Sequence, residues 1–247
     1  MFAMVNLLGL GVAMQVWVAA QVQGMVGLTE DGMVLPNWPQ GDWAAAARVL
    51  AGSAVTGLLG PADQVAGLRA ALGPRARAVR HAGEEPGYRL ALADLRLPDC
   101  AGWSLEPISD AVAGTVRGWR AAYEREVFAM PGPGADAKAA RDVARWRGAD
   151  SHRVLWRGGS PVALTGFNAV LPEVVQVGAV YVPPALRGQG HARLAVGLHL
   201  QQARAGGVRR AVLFAASPAA ERAYVALGFQ AAGRMGLVLF DGAGEAG

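Results

Sequence analysis

Residues 177–207 read VGAVYVPPALRGQGHARLAVGLHLQQARAGG, and this stretch decides the fold. The uncharged run that ends at Val182 predicts a strand buried on both faces of a sheet. The two prolines after it end the strand, because proline cannot donate to a sheet ladder. A glycine-rich turn then enters a long helix, which the pair Gly206-Gly207 ends. The stretch therefore predicts a strand, a tight turn and a helix, in that order.

The turn at residues 187–192, RGQGHA, has the features of a phosphate-binding loop. Glycines leave backbone N–H groups accessible, and the helix start adds the positive end of the helix dipole. A P-loop does not fit, because no Lys-Ser/Thr pair follows. A dinucleotide fingerprint does not fit either, because its third position holds Arg193 where glycine or alanine is needed. The pattern Arg/Gln-x-x-Gly-x-Gly/Ala does fit, through Arg187, Gly190 and Ala192.

This pattern resembles the coenzyme A pyrophosphate loop of the GNAT acetyltransferase superfamily. The sequence downstream extends the resemblance, with a short strand in Arg209–Ala216 and a helix that opens with Ser217-Pro218. The run Ala223–Phe229 (AYVALGF) is similar to the Tyr-Leu-Gly-Phe signature near the end of GNAT domains. The resemblance covers roughly residues 103–240. It implies an α/β (α+β) protein with the GNAT fold, a mixed, mostly antiparallel twisted sheet flanked by helices.

An internal comparison indicates a second, degenerate copy. At a shift of 136 residues, Val16–Pro36 lies over His152–Pro172, and Pro61–Leu72 lies near the long helix after the glycine turn. Chance similarity is the alternative, since valine and leucine are common in strands. In the first copy Ser53–Gly60 would replace the glycine turn, without an arginine or a matching glycine pair. That copy would also lack a counterpart of the helix that opens with Ser217-Pro218. Residues 75–81 and 88–97 would be its closing strands.

We therefore expect two domains, a smaller degenerate GNAT-like α/β repeat at residues 1–98 and a GNAT acetyltransferase domain at 99–247. The first would shape the acceptor cleft without binding coenzyme A. In the second, residues 103–107 predict the first strand, and helices are predicted from Asp110 to about Phe128 and over roughly 135–147. The resemblance implies that these helices form the acceptor wall. Their aromatic residues either line a pocket or pack in the core: Trp119, Tyr123, Phe128 and Trp146.

The resemblance also implies a binding mode for acetyl-CoA as co-substrate, between the strand that ends at Val182 and the strand from Arg209. Backbone groups of Val180, Tyr181 and Val182 would pair with the pantetheine arm, as an added strand pairs with a sheet edge. Backbone amides would hold the pyrophosphate, and Arg187 would either add charge or point into solvent. The residues of this loop are Arg187, Gly188, Gln189, Gly190, His191 and Ala192.

Direct acetyl transfer needs a deprotonated amine, a polarised thioester carbonyl and a proton for the leaving thiolate. A backbone N–H around Val182 could polarise the carbonyl. Tyr224 matches the family position that protonates the thiolate, although it could equally be a packed helix residue. Ser217 stands where the family often has a cofactor-contacting asparagine, and it also suits a helix N-cap. Glu173 is the first candidate for the base; the alternatives are a solvated hairpin residue and a water relay.

These features predict an acyl-CoA-dependent N-acetyltransferase that acts on an amine of a small molecule or peptide. The alternative is a non-catalytic acyl-CoA-binding sensor or partner module. Nucleic acid is not an expected partner, because the net charge of +4 comes from dispersed arginines and Lys138 is the only lysine. The four histidines have no metal-ligand spacing, so no metal site is predicted. A homodimer is left open.

Residues 1–29 carry no charged side chain, which raises the alternative of a membrane span. Polar residues and glycines dilute this run, no basic segment precedes it, and Glu30 and Asp31 follow it. The sequence therefore favours a buried helix followed by a strand, no membrane partner and a cytoplasmic protein.

Overall fold

A computed structural model describes residues 24–73 and 78–241, together with the backbone of residues 14–18. The strands are β1 (Met14–Val18), β2 (Met25–Thr29), β3 (Met33–Asn37), β4 (Gly57–Pro61), β5 (Val79–Ala91), β6 (Trp103–Pro107), β7 (His152–Arg157), β8 (Ser160–Val170), β9 (Val174–Tyr181), β10 (Arg210–Phe214) and β11 (Gln230–Phe240). The helices are α1 (Trp43–Val49), α2 (Ala62–Leu72), α3 (Asp110–Phe128), α4 (Gly132–Gly148), α5 (His191–Ala205) and α6 (Pro218–Val225).

The chain forms two compact units. One combines Met1–Gly87 with Ala231–Gly247, and the other is Tyr88–Gln230. The sequence-based division, between residues 98 and 99, was drawn from the internal repeat, whereas these two units are defined by their compactness. It therefore remains a prediction.

In the unit Tyr88–Gln230 the sheet has the strand order β5-β10-β9-β8-β7-β6. The strands from β6 to β9 pair antiparallel, and β10 runs parallel to β9. Helices α3 and α4 pack on one face through Val116 and Val143, against Val154 of β7. Helices α5 and α6 contribute to a separate core cluster, in which Leu200 contacts the sheet. The predicted mostly antiparallel sheet flanked by helices is confirmed.

The helix boundaries around the predicted loop follow from local residues. Gly190 precedes α5 with φ 80° and ψ 5°, a conformation in which glycine carries no Cβ strain. Gly206 closes the same helix. Helix α6 begins after Ser217, whose Oγ accepts a hydrogen bond from the Ala220 N–H at 3.2 Å. Pro218 occupies the first helical position, where its missing N–H costs nothing. These sequence predictions are confirmed.

The other unit contains the order β1-β2-β3-β4-β11-β5. Strands β1 to β3 pair antiparallel, and β4 runs parallel to β3. This is the pattern of β7 to β10, where three antiparallel strands are followed by a helix and a parallel strand. The shared pattern supports an internal repeat.

The structure corrects several details of the predicted repeat. Residues Gly57–Gly60 lie in β4, so the place of the glycine loop belongs to residues 38–42, between β3 and α1. Helix α2 follows the parallel strand β4 and therefore matches α6 instead of α5, so the first copy does have this helix. The shift of 136 residues placed residues 34–36 over residues 170–172, at the end of β8. Residues 34–36 lie instead in β3, which matches β9. One strand, β5, replaces the two predicted closing strands, and residues 74–77 lie outside the described part.

The beginning of α1 differs from that of α5 in its charge. The Asp42 carboxylate accepts a hydrogen bond from the Ala45 N–H at 2.9 Å and caps the helix. A carboxylate therefore stands where an anion would approach a helix start. This cap agrees with the expectation that the first copy does not hold a pyrophosphate.

The predicted helix-then-strand at residues 1–29 falls mostly on residues 1–13 and 19–23, outside the described part. The described residues there form strands β1 and β2. Of the helices that the structure describes, none combines the length and the apolar character that a bilayer crossing requires.

Candidate functional site

The two parallel strands of the sheet separate partway along their length. β9 pairs with β10 at Val174, Val175 and Gln176, and the last pair is Gln176 with Val212. Beyond this pair, in the described part of the chain, β9 continues to Tyr181 paired only with β8. One edge of β9 thus carries backbone groups available to an extended ligand.

A bulge in β9 accompanies the separation. Ala179 has a φ of 51°, a left-handed conformation that alanine seldom adopts, and the register with β8 shifts nearby. Val175 to Val177 are buried, whereas Gly178, Ala179 and Val180 are only half-buried. The prediction of a strand buried on both faces is therefore wrong for its second half, because the strand leaves its partner there.

The glycine turn follows directly and has an open inner surface. Gly188 and Gly190 have φ values of 79° and 80°, and a Cβ added at either would meet no atom within 4 Å. Within the described ranges, none of the N–H groups from Gly188 to Arg193 donates to a backbone acceptor. The turn therefore presents unpaired donors at a helix start, the arrangement that binds phosphate groups.

Arg187 holds the turn to α3. Its guanidinium donates to both carboxylate oxygens of Glu126, at 2.8 and 2.7 Å, and its Nε donates to the Val182 carbonyl at 3.0 Å. The hydrogen bond between Glu126 and Arg187 lowers the pKa of Glu126 and raises that of Arg187. The guanidinium carbon also lies 5.7 Å from the centre of the Tyr181 ring. Glu126 lies 61 residues away in sequence, and no sequence pattern pointed to it.

His191, the first residue of α5, is buried beside Trp103, with ring centres 5.2 Å apart. Burial lowers the pKa of His191, so its side chain is neutral near pH 7. The predicted contribution of His191 to the loop therefore rests on its backbone N–H and not on a charge.

Tyr224 and Glu173, the two predicted proton-transfer residues, lie in different surroundings. Tyr224 is 6% exposed and belongs to the apolar cluster beneath the sheet, with its ring 6.1 Å from that of Phe229. Glu173 is half-exposed in the turn before β9 and forms ion pairs with Arg209 and Arg210 at 3.5 and 3.8 Å. Glu173 precedes Val182 by nine residues, which is roughly 30 Å of extended chain. The structure does not bring Glu173 together with the glycine turn.

Ser217 caps α6, as described above, where its Oγ accepts the hydrogen bond from the Ala220 N–H. On the opposite face of the sheet, the four aromatic residues of α3 and α4 pack against other rings. Tyr123 and Phe128 pack on each other, with ring centres 6.0 Å apart. Trp119 lies 6.3 Å from Tyr181, and Trp146 stacks on His152 at 3.9 Å. The Arg120 guanidinium lies over the Trp146 ring at 5.4 Å.

Charged side chains also connect α3 and α4. Arg120 pairs with Glu124 and Asp142 at 2.5 and 2.8 Å, and Lys138 also contacts Asp142 at 3.1 Å. Glu124 is almost fully buried, so this network holds the two helices in register. Among the described residues, no group of three or more histidine, cysteine or acidic side chains could hold a metal ion.

The family comparison agrees with this geometry. Residues 115–229 match the model of the acetyltransferase (GNAT) family. The chain contains a GNAT domain. This domain includes the parting strands β9 and β10, the glycine turn and Tyr224. No protein with a curated description matches the chain significantly.

Solved structures show the same fold over nearly the whole chain. A GCN5-related N-acetyltransferase from Kribbella flavida has 20% identity and a TM-score of 0.65, with 98% of this chain and 95% of that chain covered. A tandem GNAT protein from the clavulanic acid biosynthesis pathway has 18% identity and a TM-score of 0.56, covering 99% and 88%. A GNAT-family acetyltransferase from Colwellia psychrerythraea has 15% identity and a TM-score of 0.51, covering 91% and 84%. The match to the tandem protein fits a preceding GNAT-like half.

Proposed function

We propose that this protein is an acyl-CoA-dependent N-acetyltransferase that transfers acetyl directly from acetyl-CoA to an amine of a small molecule or peptide. The observation that carries the proposal is the open glycine turn, with its unpaired N–H groups, at the end of a strand that has left its neighbour. A diphosphate needs such donors, and an extended amide-bearing arm needs such a strand edge. Coenzyme A carries both groups in one molecule.

The donors of the turn would hold the diphosphate through Gly188, Gln189, Gly190, His191 and Ala192. The open space at Gly188 and Gly190 fits this role, because a ligand there meets no side chain. Arg187 would act by shaping the turn, since its guanidinium is paired with Glu126. The ligand would thus be bound mainly by neutral backbone dipoles.

The pantetheine arm would pair with backbone groups of Val180 and Tyr181. At Val182 the carbonyl already accepts one hydrogen bond, from Arg187, so the N–H is the group we assign to the ligand. That N–H could then polarise the thioester carbonyl, as an oxyanion-hole donor does.

In the reaction the acceptor nitrogen attacks the thioester carbonyl, a C–N bond forms and the C–S bond breaks. The amine loses one proton to a base or water, and the leaving thiolate gains one. Tyr224 is our candidate for the second proton. Glu173 remains a candidate for the first, although its distance along β9 favours a water relay.

Tyr224→Phe tests the acid role, because it removes one hydroxyl and keeps the buried ring. A true acid is worth about 100-fold or more in kcat. Glu173→Gln tests the base role in the same way, and an unchanged kcat would assign the proton to water.

The alternative function is a non-catalytic acyl-CoA-binding module. The ion pairs of Glu173 with Arg209 and Arg210 favour it, because they engage the carboxylate that would otherwise serve as the base. In such a module Tyr224→Phe would leave the affinity for acetyl-CoA unchanged. Neither the variant nor the wild-type protein would acetylate an amine.

The experiment that tests the proposal is a thermal-shift panel of acetyl-CoA, longer acyl-CoAs, NAD and ATP, followed by thiol detection with amines. At 100 times its Kd a ligand stabilises by about 2.7 kcal/mol. For a protein of this size that corresponds to a rise in Tm of roughly 5–10 °C. Stabilisation by ATP or NAD without stabilisation by acetyl-CoA would refute the proposal. Stabilisation by acetyl-CoA without thiol release from any amine would favour the binding module.

A further inference from the structure

Polar side chains cover two glycines on the sheet face that carries α3 and α4. His152, Gly166 and Gly178 lie in register on the neighbouring strands β7, β8 and β9. A Cβ at Gly166 would come within 2.0 Å of the His152 ring, and one at Gly178 within 2.1 Å of the Asn168 amide. The imidazole and the amide therefore lie directly over the two glycines.

Gln176 belongs to the same face. Its neighbours Val175 and Val177 pack into the cluster with α5 and α6, and alternation along a strand turns Gln176 the other way. Gln176 is also the last residue of β9 that pairs with β10. Gln176 and Asn168, which lies over Gly178, are thus next to the point where the strands part, and His152 lies one strand further away, over Gly166.

Two of these side chains are buried with an unpaired polar atom. His152 is 2% exposed; its Nδ1 lies 2.9 Å from the Ser151 hydroxyl, and its Nε2 has no partner among the described residues. Gln176 is 3% exposed, and its Oε1 is likewise without a partner in the described part. An unpaired buried polar atom destabilises the fold that contains it. Folds keep such atoms mainly where water or a ligand completes the hydrogen bond.

The chemistry of these three side chains determines which amines they could bind. Burial lowers the pKa of His152 well below its usual value, so the imidazole is neutral at pH 7. The two amides each offer a donor and an acceptor and carry no charge. The buried acidic residues of α3 and α4, Glu124 and Asp142, are already paired with Arg120 and Lys138. A second positive charge on the acceptor would therefore find no free anion among them.

We propose that His152, Asn168 and Gln176 form the acceptor subsite, and that it takes a primary amine flanked by uncharged hydroxyl or amide groups. The subsite rests on the proposed acetyl transfer and adds the class of its acceptor. The amine and its polar neighbours complete the hydrogen bonds of Nε2 and Oε1. A plain alkylamine completes fewer of these hydrogen bonds. A diamine brings a second positive charge, for which the subsite has no negative partner.

The test compares kcat/KM for four amines at saturating acetyl-CoA: glycinamide, glucosamine, butylamine and putrescine. The wild-type protein should favour glycinamide or glucosamine over the other two by about tenfold or more, the effect of leaving one buried polar group unpaired. Gln176→Leu should reduce that preference by about tenfold through the acceptor KM, and Asn168→Ala, at an exposed amide, by about threefold. The KM for acetyl-CoA should not change.

Thr165→Val is the matched control. Thr165 is also buried, with a hydroxyl that has no partner among the residues described, but it lies one residue from Gly166, on the opposite face. It should keep the wild-type preference. Asn168 is exposed, so Asn168→Ala decides the matter if Gln176→Leu does not fold. An unchanged preference in Asn168→Ala, or a wild-type preference for butylamine or putrescine, overturns the subsite. A wild-type protein that does not bind acetyl-CoA refutes the proposed function itself.

Discussion

A methyl group added at Gly190 would separate the two demands on this position, its backbone conformation and its open inner surface. Gly190 has a φ of 80°, and its added Cβ would meet no atom within 4 Å. Alanine in the left-handed conformation costs roughly 1–2 kcal/mol. For a chain of this size each kcal/mol lowers Tm by about 2–4 °C. We therefore expect Gly190→Ala to fold, with a Tm about 2–8 °C lower.

The loss of ligand affinity should exceed this conformational cost. The added methyl would occupy the space through which a diphosphate approaches the N–H groups of the turn. Losing one hydrogen bond to a charged acceptor costs about 1.5–3 kcal/mol. Acetyl-CoA should therefore bind about 10- to 150-fold more weakly, as measured by isothermal titration calorimetry.

Gly159→Ala provides the matched control. Gly159 lies between β7 and β8 with a φ of 77°, and its added Cβ also meets nothing within 4 Å. This variant should lose a similar amount of stability and keep the wild-type affinity for acetyl-CoA. Equal affinities in Gly190→Ala and the wild-type protein would refute the assignment of the turn as the diphosphate site.

Two further predictions concern charge. Glu126→Gln should release Arg187 toward the ligand and tighten acetyl-CoA binding by up to about fivefold, the value of an exposed ion pair, and weaker binding would contradict this. Glu84→Gln breaks the exposed pair with Arg234, whose residues lie outside the matched range 115–229, and should have no effect. Burial of His199 lowers its pKa to about 3, so the unfolded chain takes up a proton as pH falls below about 6.5 and the folded chain does not. Stability should fall by about 2 kcal/mol between pH 7.5 and pH 5 from this group. His199→Phe keeps a ring on Phe167 and should remove that part of the loss, measured by urea unfolding at both pH values.

The glycine turn and the helices beside it were predictable because their signals are local. Gly190 and Gly206 mark the ends of α5, and Ser217 marks the start of α6, through the conformations and hydrogen bonds that these residue types favour. The bulge was not predictable. It puts an alanine, Ala179, at a positive φ, where sequence preference would call for glycine or asparagine.

The polar contacts of the site were beyond sequence reasoning for another reason. The pairing of Arg187 with Glu126, and the placement of His152 over Gly166, depend on how strands and helices meet in space. The residue alignment of the internal repeat was misplaced for a related reason. Shared valines and prolines matched residues 34–36 to the end of β8, whereas strand direction matches them to β9.

The core of the unit Tyr88–Gln230 yields a last prediction, about where the chain can be divided. Tyr88, Leu90 and Leu92 are at least 97% buried in the cluster that also holds Tyr224 and Leu227. A fragment of residues 99–247 lacks all three, and burial of each large apolar side chain is worth about 1.5–3 kcal/mol. The loss, roughly 5 kcal/mol or more, is comparable with the whole stability of many domains. The fragment 99–247 should therefore unfold at much lower urea concentrations than the fragment 88–230, although it contains the entire predicted GNAT domain. Equal midpoints would mean that residues 88–98 add nothing to this core, and would favour the boundary drawn from the sequence.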